Sequence, residues 1–169
     1  VVCAVQPPER ERLQSIARES GLDENELVLT GYVPDDDLLA LYNACTLFVF
    51  PSWHEGFGLP VLEAMRCGRA VLAANTSSLP EVVGRKDALF DPFDERAIAA
   101  LIERALTDEV WRRELERHAL EYSQRFSWDQ TAQRALTALE NATRSHSKTA
   151  MPLALTSRRP KLAYVSPLP

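Results

Sequence analysis

Two uninterrupted apolar runs, Thr46-Leu47-Phe48-Val49-Phe50 and Ala70-Val71-Leu72-Ala73-Ala74, constrain the fold of this chain more than any other feature. A strand with one face in water alternates apolar and polar residues. A run that is almost wholly apolar has both faces covered, as in parallel sheets layered with helices. Helical spacing surrounds the runs. Leu13, Ile16 and Ala17 recur up to Gly21, which reads as a C-terminal cap. Pro34 and Asp35-Asp36-Asp37 open a second helix, with carboxylates at the positive end of its dipole and Leu38, Leu41, Tyr42 and Cys45 as its face. Val61 to Met65 lie in a third, which stops at Gly68. Val1–Val5, Leu27–Thr30 and Ala88–Phe90 read as further short strands, and Ser78–Gly84 as a short helix or turn. From Asp94 the pattern is wholly helical. One stripe is Ile98, Leu101, Ile102, Ala105 and Leu106, and the next is Trp111, Leu115, His118, Ala119 and Tyr122. A Ser127–Gln130 capping box precedes Trp128, Ala132, Ala135, Leu136 and Leu139, and the periodicity stops after about Arg144. Strands alternating with helices, then a helical end, predict an α/β fold: a doubly wound parallel sheet with C-terminal helices. Such sheets bind ligands at the carboxyl ends of their strands, so chemistry is expected in the strand-to-helix loops.

Charge and cysteine content exclude several alternatives. The net charge is −5, and the first 140 residues hold 14 basic against 24 acidic residues, because Arg144, Lys148, Arg158, Arg159 and Lys161 have no acidic counterpart after Glu140. An acidic body of this kind lacks the basic footprint that nucleic-acid binding needs. The basic tail has no dense Lys/Arg cluster for anionic lipid and reads as a solvated linker. Cys3, Cys45 and Cys67 are widely spaced with no CxxC pair, so they read as buried free thiols in a reducing compartment and not as a zinc site. No apolar run approaches the roughly 18 residues of a membrane-spanning helix, and Val1–Val5 is too short for a secretory h-region. The sequence reads as a cut from something longer.

The loop after Phe50 stands out: Pro51-Ser52-Trp53-His54-Glu55-Gly56-Phe57-Gly58-Leu59-Pro60-Val61-Leu62-Glu63-Ala64-Met65. Three of the six glycines of the chain fall between positions 56 and 68. Glycines where a strand becomes a helix let backbone approach a ligand, and the helix N-terminus offers free amides and a positive dipole. Pro60 suits the first helical turn. Glu55 precedes the helix, and Glu63 follows the apolar run Leu59–Leu62 as a charge within a largely buried face. Buried carboxylates are rare unless paired or liganded. Two carboxylates flanking an amide cradle suit a ligand with hydroxyls at both ends and phosphate between, as in a nucleotide sugar. A helix-capping Glu55, a solvent-facing Glu63 and glycines kept for packing would account for the same residues without a ligand.

The stretch resembles the signature of retaining glycosyltransferases of family 4, also called glycosyl transferases group 1, of GT-B fold. Glu55 and Glu63 match their Glu-x7-Glu motif, with Gly56-Phe57-Gly58-Leu59-Pro60 between. Gly31-Tyr32-Val33-Pro34, Ala64-Met65-Arg66-Cys67-Gly68-Arg69-Ala70-Val71, Leu79-Pro80-Glu81-Val82-Val83-Gly84 and Asp91-Pro92 resemble further family elements, with Ala70 in place of the usual Pro. The resemblance covers about residues 1–140 and implies the C-terminal, Rossmann-like, donor-binding half of a GT-B enzyme. It implies that Glu55, the catalytic candidate, hydrogen-bonds a donor-sugar hydroxyl. The amides of Gly56, Phe57 and Gly58 would face sugar and diphosphate, Leu59 the phosphate, and Glu63 both ribose hydroxyls. It further implies a hexosyl transfer with retention, from a UDP- or GDP-sugar to a glycan or lipid-linked acceptor. No metal or other cofactor is implied, since an Arg-Lys pair and the helix dipole neutralise the diphosphate. A bacterial, cytoplasmic setting in polysaccharide biosynthesis, with peripheral association at the inner membrane face, is the family habit.

Several positions depart from that pattern. The Arg-Lys pair and the acceptor-binding half are expected upstream of residue 1, so residues 1–169 alone are expected to be inactive. His54 reads as a loop residue, His118 as core, and Trp53 as packing for the loop. Residues 141–160 read as a linker. Lys161-Leu162-Ala163-Tyr164-Val165-Ser166-Pro167-Leu168-Pro169 resembles the start of a second glycosyltransferase N-terminal half, although a Pro-rich tail has the same composition. Two other functions compete: a nucleotide-sugar epimerase of shared architecture, against which the Glu-Gly-Phe-Gly-Leu-Pro run argues, and a non-catalytic nucleotide- or sugar-binding module of a tandem protein.

Overall fold

The computed structural model describes residues 5–23 and 25–146. Helix α1 (Pro7–Glu19) begins on its two prolines, which occupy the first turn where a missing N–H costs nothing. Helix α2 (Asp35–Ala44) follows Pro34 and carries Asp35, Asp36 and Asp37 in its first turn. Strand β1 (Leu47–Phe50) leads through the glycine loop into α3 (Leu59–Arg66), and β2 (Ala70–Ala74) leads into the short α4 (Leu79–Val83). A single 3-10 turn precedes β3 (Leu89–Phe90), and α5 (Glu95–Thr107) and α6 (Glu109–Ser123) follow.

The three strands form one parallel sheet in the order β1-β2-β3. Leu47 pairs with Ala70 and Phe50 with Ala73, while Ala73 and Ala74 pair with Leu89 and Phe90. All three strands therefore end on the same edge, where the loops 51–58, 75–78 and 91–94 gather. Every residue of β2 is buried, and α3, α4, α5 and α6 all pack on it. The core that results includes Val61, Met65, Leu72, Leu79, Val82, Trp111 and Leu115. Strand β1 is half-buried at each position because it forms an outer strand of this sheet.

Leu27–Thr30 departs from expectation. It is irregular and is not part of the sheet. A strand exists only through a ladder to its neighbour. The run Val1–Val5, its expected companion, lies outside the described residues apart from Val5, which is irregular. The expected linker 141–160 is corrected at its start, since residues 141–146 continue the last helix; its remainder from 147 onward and the tail resemblance at 161–169 lie outside the described residues. The expected burial of the cysteines is corrected: Cys45 and Cys67 are free but only half-buried, because Cys45 caps the end of α2 and Cys67 the end of α3. Cys3 is outside the described residues.

The chain divides into two compact units, 1–125 and 126–169. In the second, α7 (Trp128–His146) starts where the Ser127 hydroxyl lies 3.5 Å from the amide of Gln130, a loose version of the expected cap.

Below β3, Arg85 grips Asp87 with two bonds of 2.7 and 2.9 Å. The same carboxylate accepts from the indole nitrogen of buried Trp111 at 2.9 Å. The guanidinium first, then the indole, hold the Asp87 carboxyl far below the ordinary carboxylate range. A depressed folded pKa stabilises the fold above the unfolded value of about 4 and loses that contribution as pH falls below it. Asp87→Ala should therefore lower stability by about 1–2 kcal/mol at neutral pH, mainly by removing the negative charge that Arg85 and the Trp111 N–H hold in the folded state. Denaturant titrations from pH 7 to pH 2 should show the gap between variant and wild type closing in acid. A constant gap would remove Asp87 from the acid response.

Candidate functional site

The loop after β1 is held by the loop after β2. The Ser77 hydroxyl accepts from the amide of Glu55 at 3.0 Å. The Ser78 hydroxyl sits between the carbonyls of Phe57 at 2.8 Å and Glu55 at 3.1 Å, its one proton shared. Thr76 donates to the carbonyl of Ser52 at 3.2 Å. Ser77 has φ 46, and it is the non-glycine residue with positive φ among the described residues. Strain of this kind is retained where surroundings fix it, and here it points a hydroxyl at the glycine loop. From its sequence pattern this segment is expected only to lead into a short helix or turn over Ser78–Gly84. The sequence signal for the strap is a Thr-Ser-Ser cluster, Thr76-Ser77-Ser78, at the carboxyl end of a buried strand.

Gly58 is the N-cap of α3 with φ 101, a conformation that glycine adopts freely and other residues rarely do. A Cβ there would lie 2.6 Å from Cδ2 of fully buried Leu79. Gly56 differs: its φ is unexceptional, and a Cβ there would meet nothing within 4 Å. Packing therefore explains Gly58 but not Gly56. The amides of Gly56, Gly58 and Leu59 have no acceptor among the described residues. Free amides at a helix N-terminus attract anions.

Glu55 is half-buried at the mouth of this loop, and no described residue donates to its carboxylate. Glu63 corrects an expectation. It is exposed, not set in a buried face. The apolar run before it is wound at 3.6 residues per turn, so Val61, Ala64 and Met65 turn inward while Leu59, Glu63 and Arg66 share the outer side. Glu63 nevertheless has a partner from another helix: the hydroxyl of Tyr42 in α2 donates to Oε2 at 3.0 Å.

His54 is an exposed loop residue, as expected. His118 is half-buried with Nε2 2.8 Å from the carbonyl of Val83, so that nitrogen must carry the proton. Its ring stacks on Tyr122, which makes it a structural clamp on α4. Trp53 does not pack the loop: it is 69% exposed, edge-on to Phe93, itself 73% exposed in the loop after β3. Phe57 and Leu59 are also exposed. Among the described residues, no three His, Cys, Asp or Glu side chains gather into a metal site, and no helix is long and apolar enough to cross a membrane.

Comparison with known proteins fixes what this loop belongs to. The sequence model of the family described as glycosyl transferases group 1 matches residues 1–141. The chain belongs to that family. Over 145 residues this group 1 glycosyltransferase chain is 52% identical to the serotype-specific mannosyltransferase WbdA of Escherichia coli, covering 86% of the chain and 18% of that protein. It is 45% identical over 120 residues to the O-antigen chain mannosyltransferase B of Escherichia coli, covering 71% of the chain and 32% of that protein. It thus spans less than a third of each. Among solved structures it resembles Anabaena Alr3699/HepE in complex with UDP and glucose, with a TM-score of 0.70 and 26% identity over 83% of the chain and 39% of that one. The fold is accordingly the Rossmann-like half of GT-B, and the epimerase alternative falls.

Proposed function

We propose that this glycosyltransferase domain binds the donor nucleotide sugar and serves a retaining transfer of a hexosyl group, mannosyl by its relatives' names, to a glycan or lipid-linked acceptor. One observation carries the reading. The amides of Gly56, Gly58 and Leu59 are open at the start of α3, beyond the carboxyl end of β1 and between Glu55 and Glu63 along the chain. The diphosphate of the donor lies against the amides of Gly56, Phe57, Gly58 and Leu59, where the helix dipole offsets its charge without a metal ion. Glu55 takes a sugar hydroxyl. Glu63, on the same outer side of α3 as Leu59, takes the ribose hydroxyls. The order of groups in a nucleotide sugar matches the order along the chain, in which the amide cradle separates the two carboxylates.

No Lys or Arg lies between Ser52 and Met65. The amides alone do not balance a leaving diphosphate, so cationic groups and an acceptor site from other parts of the polypeptide complete the reaction. Residues 1–169 in isolation therefore bind nucleotide weakly and transfer no sugar. The setting proposed is the cytoplasmic face of a bacterial membrane, with the polypeptide peripheral to it.

Glu63→Ala tests the donor site. A charge-assisted hydrogen bond to an exposed carboxylate sits at the low end of its range, about 1.5 kcal/mol. Calorimetry with UDP and GDP on the full-length protein should show affinity falling about tenfold or more. Unchanged affinity for both would place Glu63 outside the nucleotide site, and a non-catalytic module would then need a different ligand.

A further inference from the structure

We infer that Tyr42 is a positioning residue for the donor nucleotide: its hydroxyl, delivered from α2, fixes the Glu63 carboxylate of α3 in the orientation that receives the ribose. The inference rests on the reading of Glu63 as the ribose acceptor. The observation behind it is a contact between two elements that the glycine loop does not join. Tyr42 is 7% exposed, whereas the carboxylate it serves is exposed. Its ring is held edge-on against Phe48 of β1, with centroids 5.5 Å apart. The phenol is therefore a fixed donor, and the carboxylate is the movable partner.

The consequence for Glu63 is geometric. An exposed glutamate samples several rotamers, and holding it still in a complex weakens binding by about twofold to tenfold. A bond of 3.0 Å from Tyr42 to Oε2 removes much of that freedom before the ligand arrives. It uses one lone pair of Oε2 and leaves Oε1 and the remaining pair for the two ribose hydroxyls. Among the described residues no other donor reaches this carboxylate. Burial, then the bond to Glu63, push the Tyr42 phenol well above the ordinary tyrosine range, so it keeps its proton at any working pH. The donor-acceptor direction is thus fixed. It also explains why a tyrosine, with its polar tip, occupies a buried place on the inward face of α2.

Tyr42→Phe isolates the hydroxyl, because the ring and its contact with Phe48 remain. In the full-length protein, calorimetry with whichever of UDP and GDP binds more tightly should show affinity falling about threefold to tenfold. The melting temperature should move little. Two controls separate positioning from packing. The same substitution made in a Glu63→Ala background should have no further effect on affinity, and it should have none on binding of the matching 2′,3′-dideoxynucleoside diphosphate. Wild-type affinity in Tyr42→Phe, alongside weakened binding in Glu63→Ala, would overturn the role of Tyr42 and leave the ribose site standing. A loss of equal size in the Glu63→Ala background or with the dideoxy compound would also overturn it, by showing a general effect on the fold. If Glu63→Ala alone binds normally, the ribose reading and this inference fall together.

Discussion

Glu55→Gln should lower turnover by about a hundredfold while leaving nucleoside diphosphate affinity within about twofold. The argument starts from the loop. The main chain of Glu55 is pinned on both sides, its amide by Ser77 and its carbonyl by Ser78. Replacing the side chain therefore leaves the cradle in place. Its carboxylate has no donor among the described residues, so Gln neither breaks an existing bond nor strands a partner. The loss falls on the sugar. A carboxylate accepting from a hydroxyl is roughly twice as strong as a neutral amide doing so, and it strengthens further as positive charge develops on the ring at the transition state. Groups that act on developing charge contribute about a hundredfold to a thousandfold when removed singly. Steady-state kinetics with donor varied, set beside calorimetry with the free diphosphate product, separates the two effects. A variant whose affinity for the diphosphate product falls as far as its turnover would place Glu55 on the phosphate and not on the sugar.

The fold was most legible where a residue's type decided its environment without help. Ala70–Ala74 is such a case: five apolar residues between Gly68 and Asn75 allow little besides a strand covered on both faces, and all five are buried. Thr46–Phe50, bounded by Pro51, gave β1 for the same reason. Leu27–Thr30 shows the limit, since a four-residue run states a preference that only a neighbouring strand can realise. The site was legible in its glycines and in its two carboxylates. The burial of Glu63 is not legible there, because helical winding distributes a run of apolar residues over both sides and leaves Glu63 exposed. The parts missed altogether are those supplied from elsewhere in the chain. Tyr42 lies 21 positions before Glu63, and Ser77 lies 22 after Glu55. Nothing local in the sequence joins either pair. Only the parallel sheet, by ending all its strands on one edge, brings the serine hydroxyls to the glycine loop. Trp53 departs from expectation: a large aromatic is ordinarily buried, and this one stands exposed against Phe93.

The two glycines of the cradle should respond differently to the same methyl group. Gly58→Ala should destabilise the fold by about 3 kcal/mol, as a sum of two costs. An alanine at φ 101 is strained by about 1–2 kcal/mol. Its Cβ would also sit 2.6 Å from Cδ2 of Leu79, and crowding a packed core by one carbon costs about 1–3 kcal/mol. Leu79 cannot withdraw easily, because it is wholly buried and opens α4 directly after the Ser78 hydroxyl that straps the loop. Relief must then come from moving α3 or the loop, which spoils the amide cradle as well. Gly56→Ala meets no atom within 4 Å and should leave stability within about 0.5 kcal/mol of wild type. Its cost should appear only with ligand present, as weaker binding of nucleoside diphosphate, because the methyl group occupies space that the protein itself leaves open. Urea titrations of both variants, paired with calorimetry, check the contrast. Equal and large destabilisation by both would mean that Gly56 is held for packing. Full nucleotide affinity in Gly56→Ala would mean that the diphosphate does not approach the backbone at this position.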